Sequence, residues 1–288
     1  MINWLRDTAI TWLRHNQPLP NTPLSDFQRV RHEVRPCDVI LVEGRSRVSE
    51  VIKLITQSSW SHAALYIGRV HDIEDPLLKD ALRKFYVGPP EQQLIIESEL
   101  GMGTVVRPLT TYEYEHLRIC RPRGIGHNDS QAAIDYAIGQ LGTAYNVRQI
   151  FDLARFLFPW FIMPRRWRSS LFSTNPGQNT HTVCSTMIAE AFGSIEFPIL
   201  PLVKREEDGK VRLYMRNPKL CTPSDFDYSP YFDIIKYPFL DFHSYAQQRL
   251  QPWSSDSELT ESEREFYLVE ELRGQGDAGD SAPASAKD

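Results

Sequence analysis

The period of the apolar positions changes along the chain, and each change predicts an element. In residues 2–14, Ile2, Leu5, Ala9, Trp12 and Leu13 recur every three or four positions, with Arg6, Asp7 and Arg14 off the stripe, which is one face of a helix. Pro18, Pro20 and Pro23 end it and make a stiff link. Such a helix suits two places, docked on the domain that follows or lying at a membrane surface with its tryptophans at the interface.

From about Val34 the period shortens. Val39 to Val42 is an apolar run closed by Gly44, a buried strand and a turn, followed by a short helix through Val51, Ile52, Leu54 and Ile55 entered from Ser49. In SSWSHAALYIGRV, His62, Ala64 and Tyr66 alternate with Ala63, Leu65 and Ile67 before Gly68, so His62 opens a strand. LIIESELGMGTVVRPL reads as strand, glycine turn, strand, and EHLRICRP as one more. Four or five strands with short connections favour antiparallel pairing. Asp129 or Ser130 then caps a helix carrying Ala132, Ala133, Tyr136, Ala137 and Gln140 on one face, and a later helix starts near Cys184.

Composition bounds this picture. With 41% hydrophobic and 24% charged residues among 288, the chain has material for one large decorated core. The expected division is a helix and link over 1–33, a domain over 34–245 and a tail over 246–288. From Ser254 onward ten acids oppose three bases, −7, which leaves +2 for the rest of a chain of net charge −5. The end of that tail has little to bury and is expected to be disordered. No basic stripe with interleaved aromatics occurs, so no nucleic-acid partner is expected. Cys37, Cys120, Cys184 and Cys221 are far apart and form no CxxC, which fits a reducing compartment, and the N-terminus lacks the small-residue cleavage site of a secretory signal. The expected location is cytoplasmic, with the inner membrane face as a possible surface. There is no Walker A loop, GxGxxG or GxSxG, and His116 with Cys120 or His181 with Cys184 lacks the further paired ligands a zinc site needs. No cofactor or metal is expected.

The chemistry centres on HTVCSTMIAEAF. A nucleophilic cysteine must be a thiolate, whereas a free thiol has a pKa near ~8.5. At a helix start, unpaired backbone N–H groups and the positive end of the macrodipole favour the anion. Met187, Ile188 and Ala191, three, four and seven residues beyond Cys184, would bury one face of that helix and hold the sulfur at its mouth. An imidazole must hold the ion pair and protonate the leaving group. Of eight histidines, His62 has a rigid strand beneath it, while His181 lies in the loop entering the helix and ranks second. Glu97, a carboxylate within the apolar run LIIES, is the candidate to orient the imidazole, and Glu99, past the strand, is expected to be exposed.

PCDVILVEG, SSWSHAALYIG, LIIESELGMGTVVRPL, AYN, HTVCSTMIAEAF and TPSDFDYSPYFDII together resemble the YiiX/YebB-like branch of the permuted NlpC-type, papain-fold cysteine hydrolases. The resemblance implies an α+β fold with an antiparallel sheet or small barrel packed on helices and the nucleophile's helix after the sheet. It also implies Cys184 as nucleophile, His62 as general base and Glu97 as orienting acid. The chain departs from that pattern at Cys37, where relatives usually carry glycine, and at Ser98, where a small apolar residue is usual. Segments 151–178 and 204–220 look like insertions. The first holds IFDLARFLFPWFIMP followed by Arg165, Arg166 and Arg168, too short and too interrupted to span a bilayer. It suits core packing, a wall for an acyl chain, or a patch on anionic lipid. Ser61, Tyr66, Phe158, Trp160 and Phe161 are the expected substrate-binding residues. The expected substrate is an acyl lipid or N-acyl amide, with a cell-wall-type peptide amide as the alternative and a non-catalytic membrane-binding scaffold as the reading of another class. Contact with a membrane would run through the N-terminal helix and residues 151–168.

Overall fold

The computed structural model describes residues 24–99, 102–143, 183–206 and 209–238, and of Val51, Ile55, Val183 and Cys184 only the backbone. The expected N-terminal helix, the aromatic segment with Phe158, Trp160 and Phe161, and the acidic tail lie outside the described residues.

Seven short apolar segments build the main sheet and its first helix. Helix α1 (Phe27–Glu33) is capped by Asp26, whose carboxylate accepts from the Arg29 backbone N–H. Strands β1 (Val39–Glu43), β2 (His62–Gly68), β3 (Leu94–Glu99), β4 (Gly103–Pro108) and β5 (His116–Pro122) follow in sequence. The last strand of this sheet, Phe232–Ile235, completes an antiparallel order β4-β3-β2-β1-β5 with it at the far edge. Between them lie α2 (Arg47–Thr56) after β1, α3 (Pro76–Phe85) after β2, α4 (His127–Gly139) after β5, and then α5 (Val183–Ser194). A two-stranded hairpin, β6 (Leu202–Arg205) and β7 (Val211–Tyr214), and helix α6 (Pro223–Tyr228) precede that edge strand, β8.

Strand alternation splits the core into two layers. Val39, Leu41, Ala63, Leu65, Leu94 and Ile96 face α4 and α5, where Ala133, Ile134, Met187, Ile188 and Phe192 meet them. Ile40, Val42, Ala64, Tyr66 and Ile95 face the other way, onto Phe27 and Val30 of α1.

Helix α1 forms within the stretch read as a link, because Phe27 and Val30 have an apolar layer to cover. The caps also move. Ser46, not Ser49, caps α2, since its hydroxyl accepts from the Ser49 backbone N–H. Helix α4 starts at His127 after Gly126, and its buried face is Ala133, Ile134, Ala137 and Ile138, with Ala132 exposed. The segment read as an insertion over 204–220 holds most of the β6–β7 hairpin, whose side chains are exposed.

Cys37 explains one departure from the family pattern. Its φ is +73°, a left-handed conformation that favours glycine, and its side chain is buried.

Candidate active site

The strands bring His62 and Glu97 together toward one end of the sheet. Val42 pairs with His62 on one side and with Leu117 on the other, so the start of β2, the end of β1 and the start of β5 are level. Glu99 pairs with Gly103 at that same end of the β3–β4 hairpin. The opposite end holds the Pro122–Phe232 pair, and Phe232 packs edge-on against Phe192 near the end of α5 at 5.4 Å. The C-terminus of α4 is at the His62 end, where Gly142 donates to Thr104 and Thr104 donates to Thr143. Tyr136 of α4 donates to Glu190 of α5 at 3.3 Å, which with the Phe192 contact fixes the two helices as antiparallel. Helix α5 crosses β2 and β3, so its first turn, with Cys184 as second residue, falls at the end of the sheet that His62 opens.

His62 and Glu97 meet directly. His62 Nε2 lies 2.5 Å from Glu97 Oε2, from adjacent strands and on one face of the sheet. The imidazole keeps 18% of its side-chain surface exposed, the carboxylate 2%.

Glu97 is held from two further directions. Tyr112 donates its hydroxyl to Oε2, and Arg107 Nε stands 3.1 Å from Oε1. Burial pushes the carboxyl up, but the charge and hydrogen bond of His62, the Tyr112 hydroxyl and the Arg107 charge outweigh it and hold it below the usual value. Burial, then the neighbouring Glu97 charge, pushes the Tyr112 phenol well above its ordinary value, so it remains a donor. Arg107 stays firmly protonated because Glu99 and Glu97 outweigh its burial.

Sequence reasoning passed over Tyr112 and Arg107. The glycine turn carried the signal for one of them: folding LIIESELGMGTVVRPL into a tight hairpin sets Ile95 opposite Arg107, which makes Arg107 a diagonal neighbour of Glu97 on one face. Tyr112 ends a 3-10 helix, Leu109–Tyr112, too short to show a period in the sequence. Glu99, expected to be exposed, is instead ion-paired with Arg107.

The imidazole and α5 address opposite faces. His62 alternates with Ala64 and Tyr66 on the α1 side, while Met187, Ile188 and Phe192 pack the other.

Ser61 and Tyr66 present almost no surface to a ligand, at 1% and 2% exposure. The Ser61 hydroxyl accepts from Gly44 N at 2.9 Å, and the Tyr66 hydroxyl accepts from Gln93 Nε2 at 2.9 Å. Beyond the site, Arg118 stacks over Trp60 at 4.6 Å and bonds both oxygens of Asp227, which ties α6 to the sheet. Among the described residues no three His, Cys, Asp or Glu side chains are grouped to hold a metal ion, and no helix is long and apolar enough to cross a membrane.

An antiparallel sheet backed by helices, with an imidazole–carboxylate pair on its strands and a cysteine-bearing helix after them, makes an α+β fold. Residues 33–155 match the family model of the permuted papain-like amidase enzymes, YaeF/YiiX, C92 family, as the sequence motifs led one to expect. This supports a hydrolase of the papain-like amidase kind. The matched span contains His62 and Glu97 and ends before Cys184. The crystal structure of the metalloprotein YiiX from Escherichia coli O157:H7 aligns with a TM-score of 0.41 at 13% identity, over 70% of this chain and 97% of that one. No curated protein matches the chain.

Proposed function

We propose that the chain is a cysteine hydrolase in which Cys184 is the nucleophile, His62 the general base and Glu97 the group that orients it. The observation that carries this is the 2.5 Å His62–Glu97 bond at the end of the sheet where α5 begins. In the ion pair, the Cys184 thiolate attacks an amide or ester carbonyl while the imidazolium holds the proton. The C–S bond forms and the carbonyl oxygen becomes an oxyanion, stabilised by backbone N–H groups of the helix start, each worth about 3 kcal/mol in other enzymes. Collapse breaks the carbonyl's bond to the leaving amine or alcohol, which takes the proton from His62. Water then gives its proton to His62 and attacks the thioester, releasing the acid and restoring the thiolate–imidazolium pair. An acceptor alcohol or amine in place of water would give acyl transfer.

The substrate we favour is an acyl lipid or N-acyl amide, because the aromatic run 151–163 followed by arginines suits an acyl chain near anionic lipid. The setting would then be cytoplasmic, at the inner face of a membrane.

Iodoacetamide labelling of Cys184 against pH, read by peptide mass, tests the nucleophile. The expected midpoint lies well below the ~8.5 of a free thiol and returns toward it in His62→Ala. A midpoint near 8.5 that ignores the substitution would leave a non-catalytic scaffold. Intact-mass detection of a Cys184 adduct after incubation with a lipid extract, but not with peptidoglycan fragments, supports the acyl substrate; the reverse result overturns it.

A further inference from the structure

Resting on the reading of His62 as the base, we propose that Glu99 and Arg107 are positioning residues that set the charge His62 faces: Glu99 engages Arg107, and the negative charge of Glu97 is thereby left for the imidazolium. Arg107 is shared between two carboxylates, with Nε 3.1 Å from Glu97 Oε1 and Nη2 bonded to Glu99 Oε2. Two carboxylates against one guanidinium leave one negative charge in excess, which a protonated His62 balances. Without Glu99, Arg107 would balance Glu97 alone, and the imidazolium would back onto a neutral pair.

The strand geometry puts Glu99 where this matters. Leu65 lies opposite Ile96 and Tyr66 opposite Ile95. The same spacing carried to the end of the strands sets Glu99 level with His62, two residues beyond Glu97 and so on the same face. Among the described residues, the groups around His62 include Val42 from β1, Glu97 and Glu99 from β3, Arg107 from β4 and the protonated Tyr112 hydroxyl from the short 3-10 helix after β4. Glu99 and Arg107 are each only about a quarter exposed, at 22% and 28%, so solvent screens their charges less than it would at an open surface.

A purely structural Glu99–Arg107 pair would tie the β3–β4 hairpin and leave the titration of His62 where it is. The test is an imidazole NMR titration of the full chain, with His62 assigned by its loss in His62→Gln. Glu99→Gln is expected to lower the His62 midpoint by roughly one pH unit, and Glu99→Asp to keep it near wild type. Arg107→Gln is expected to raise it. Should Arg107→Gln fail to fold because Glu97 loses a buried partner, the two Glu99 variants decide the matter. An unchanged or raised midpoint in Glu99→Gln overturns the proposal, as does a Glu99→Asp that behaves like Glu99→Gln. Labelling of Cys184 in the same variants separates the two readings. A shifted His62 midpoint with Cys184 labelling indifferent to His62 sinks the catalytic reading while upholding the charge-setting pair.

Discussion

Cys37 shows how much a single residue can hold at odds with its backbone. At φ +73° an L side chain costs roughly 1–2 kcal/mol, yet the sulfur fills a fully buried place in the α4–α5 layer. Cys37→Gly trades relief of that strain against a small cavity, so its stability by urea denaturation should stay within about 1 kcal/mol of wild type. Cys37→Val, β-branched at the same φ, should lose more than about 2 kcal/mol. Tyr112 offers a different residue-scale test. Tyr112→Phe removes a hydroxyl donated to a buried carboxylate, a bond of about 1.5–3 kcal/mol, and should lower the unfolding free energy by that order. A loss of a few tenths would show that the hydroxyl does not help to hold Glu97.

At the scale of elements, α5 is anchored at its far end and carries Cys184 at its near one. Phe192 is fully buried and packs against Phe197, Phe226 and Phe232, an aromatic cluster that anchors the helix to α6 and β8. Phe192→Ala should cost about 3–5 kcal/mol in denaturant unfolding. Because the helix lies over β2 and β3, the same change should also alter Cys184 labelling, although residue 192 is two turns away. Labelling identical to wild type in a folded Phe192→Ala would mean that the first turn is positioned by something else.

For the whole molecule, buried and paired carboxylates set the response to acid. Burial raises the Glu43 carboxyl, but the His116 hydrogen bond and Lys53 outweigh it, and Glu97 is likewise held below its usual value. A lowered folded pKa contributes stability that is present above the unfolded value near 4.5 and is lost as pH falls through the folded value beneath it. Asp38 runs the other way, since burial outweighs Arg121 and raises it, so its ionisation costs stability as pH rises from 3.8. With Glu33, Glu43 and Glu97 lowered against Asp38 and Asp135 raised among the described residues, thermal unfolding midpoints should fall below about pH 4.5, and Glu97→Gln should flatten part of that fall. An equal slope in the variant would show that Glu97 titrates alike in both states.

Sequence alone determined the strands and the order of the candidate site residues along them. Alternation in HAALYIG and LIIESE, bounded by Gly68 and the turn before Gly103, is a local property, so β2, β3 and the carboxylate inside an apolar run could be read directly. The helix at Cys184 was legible for the same reason, from three apolar residues at helical spacing. Tertiary structure decided what depends on residues far apart in the chain. Helix α1 exists because an apolar layer awaits Phe27 and Val30, α4 turned its buried face by one residue to meet α5, and Glu99 left solvent for Arg107. Periodicity fixes which residues share a face. It cannot say which distant face they will meet, because that is chosen by the burial and charge pairing of the assembled whole.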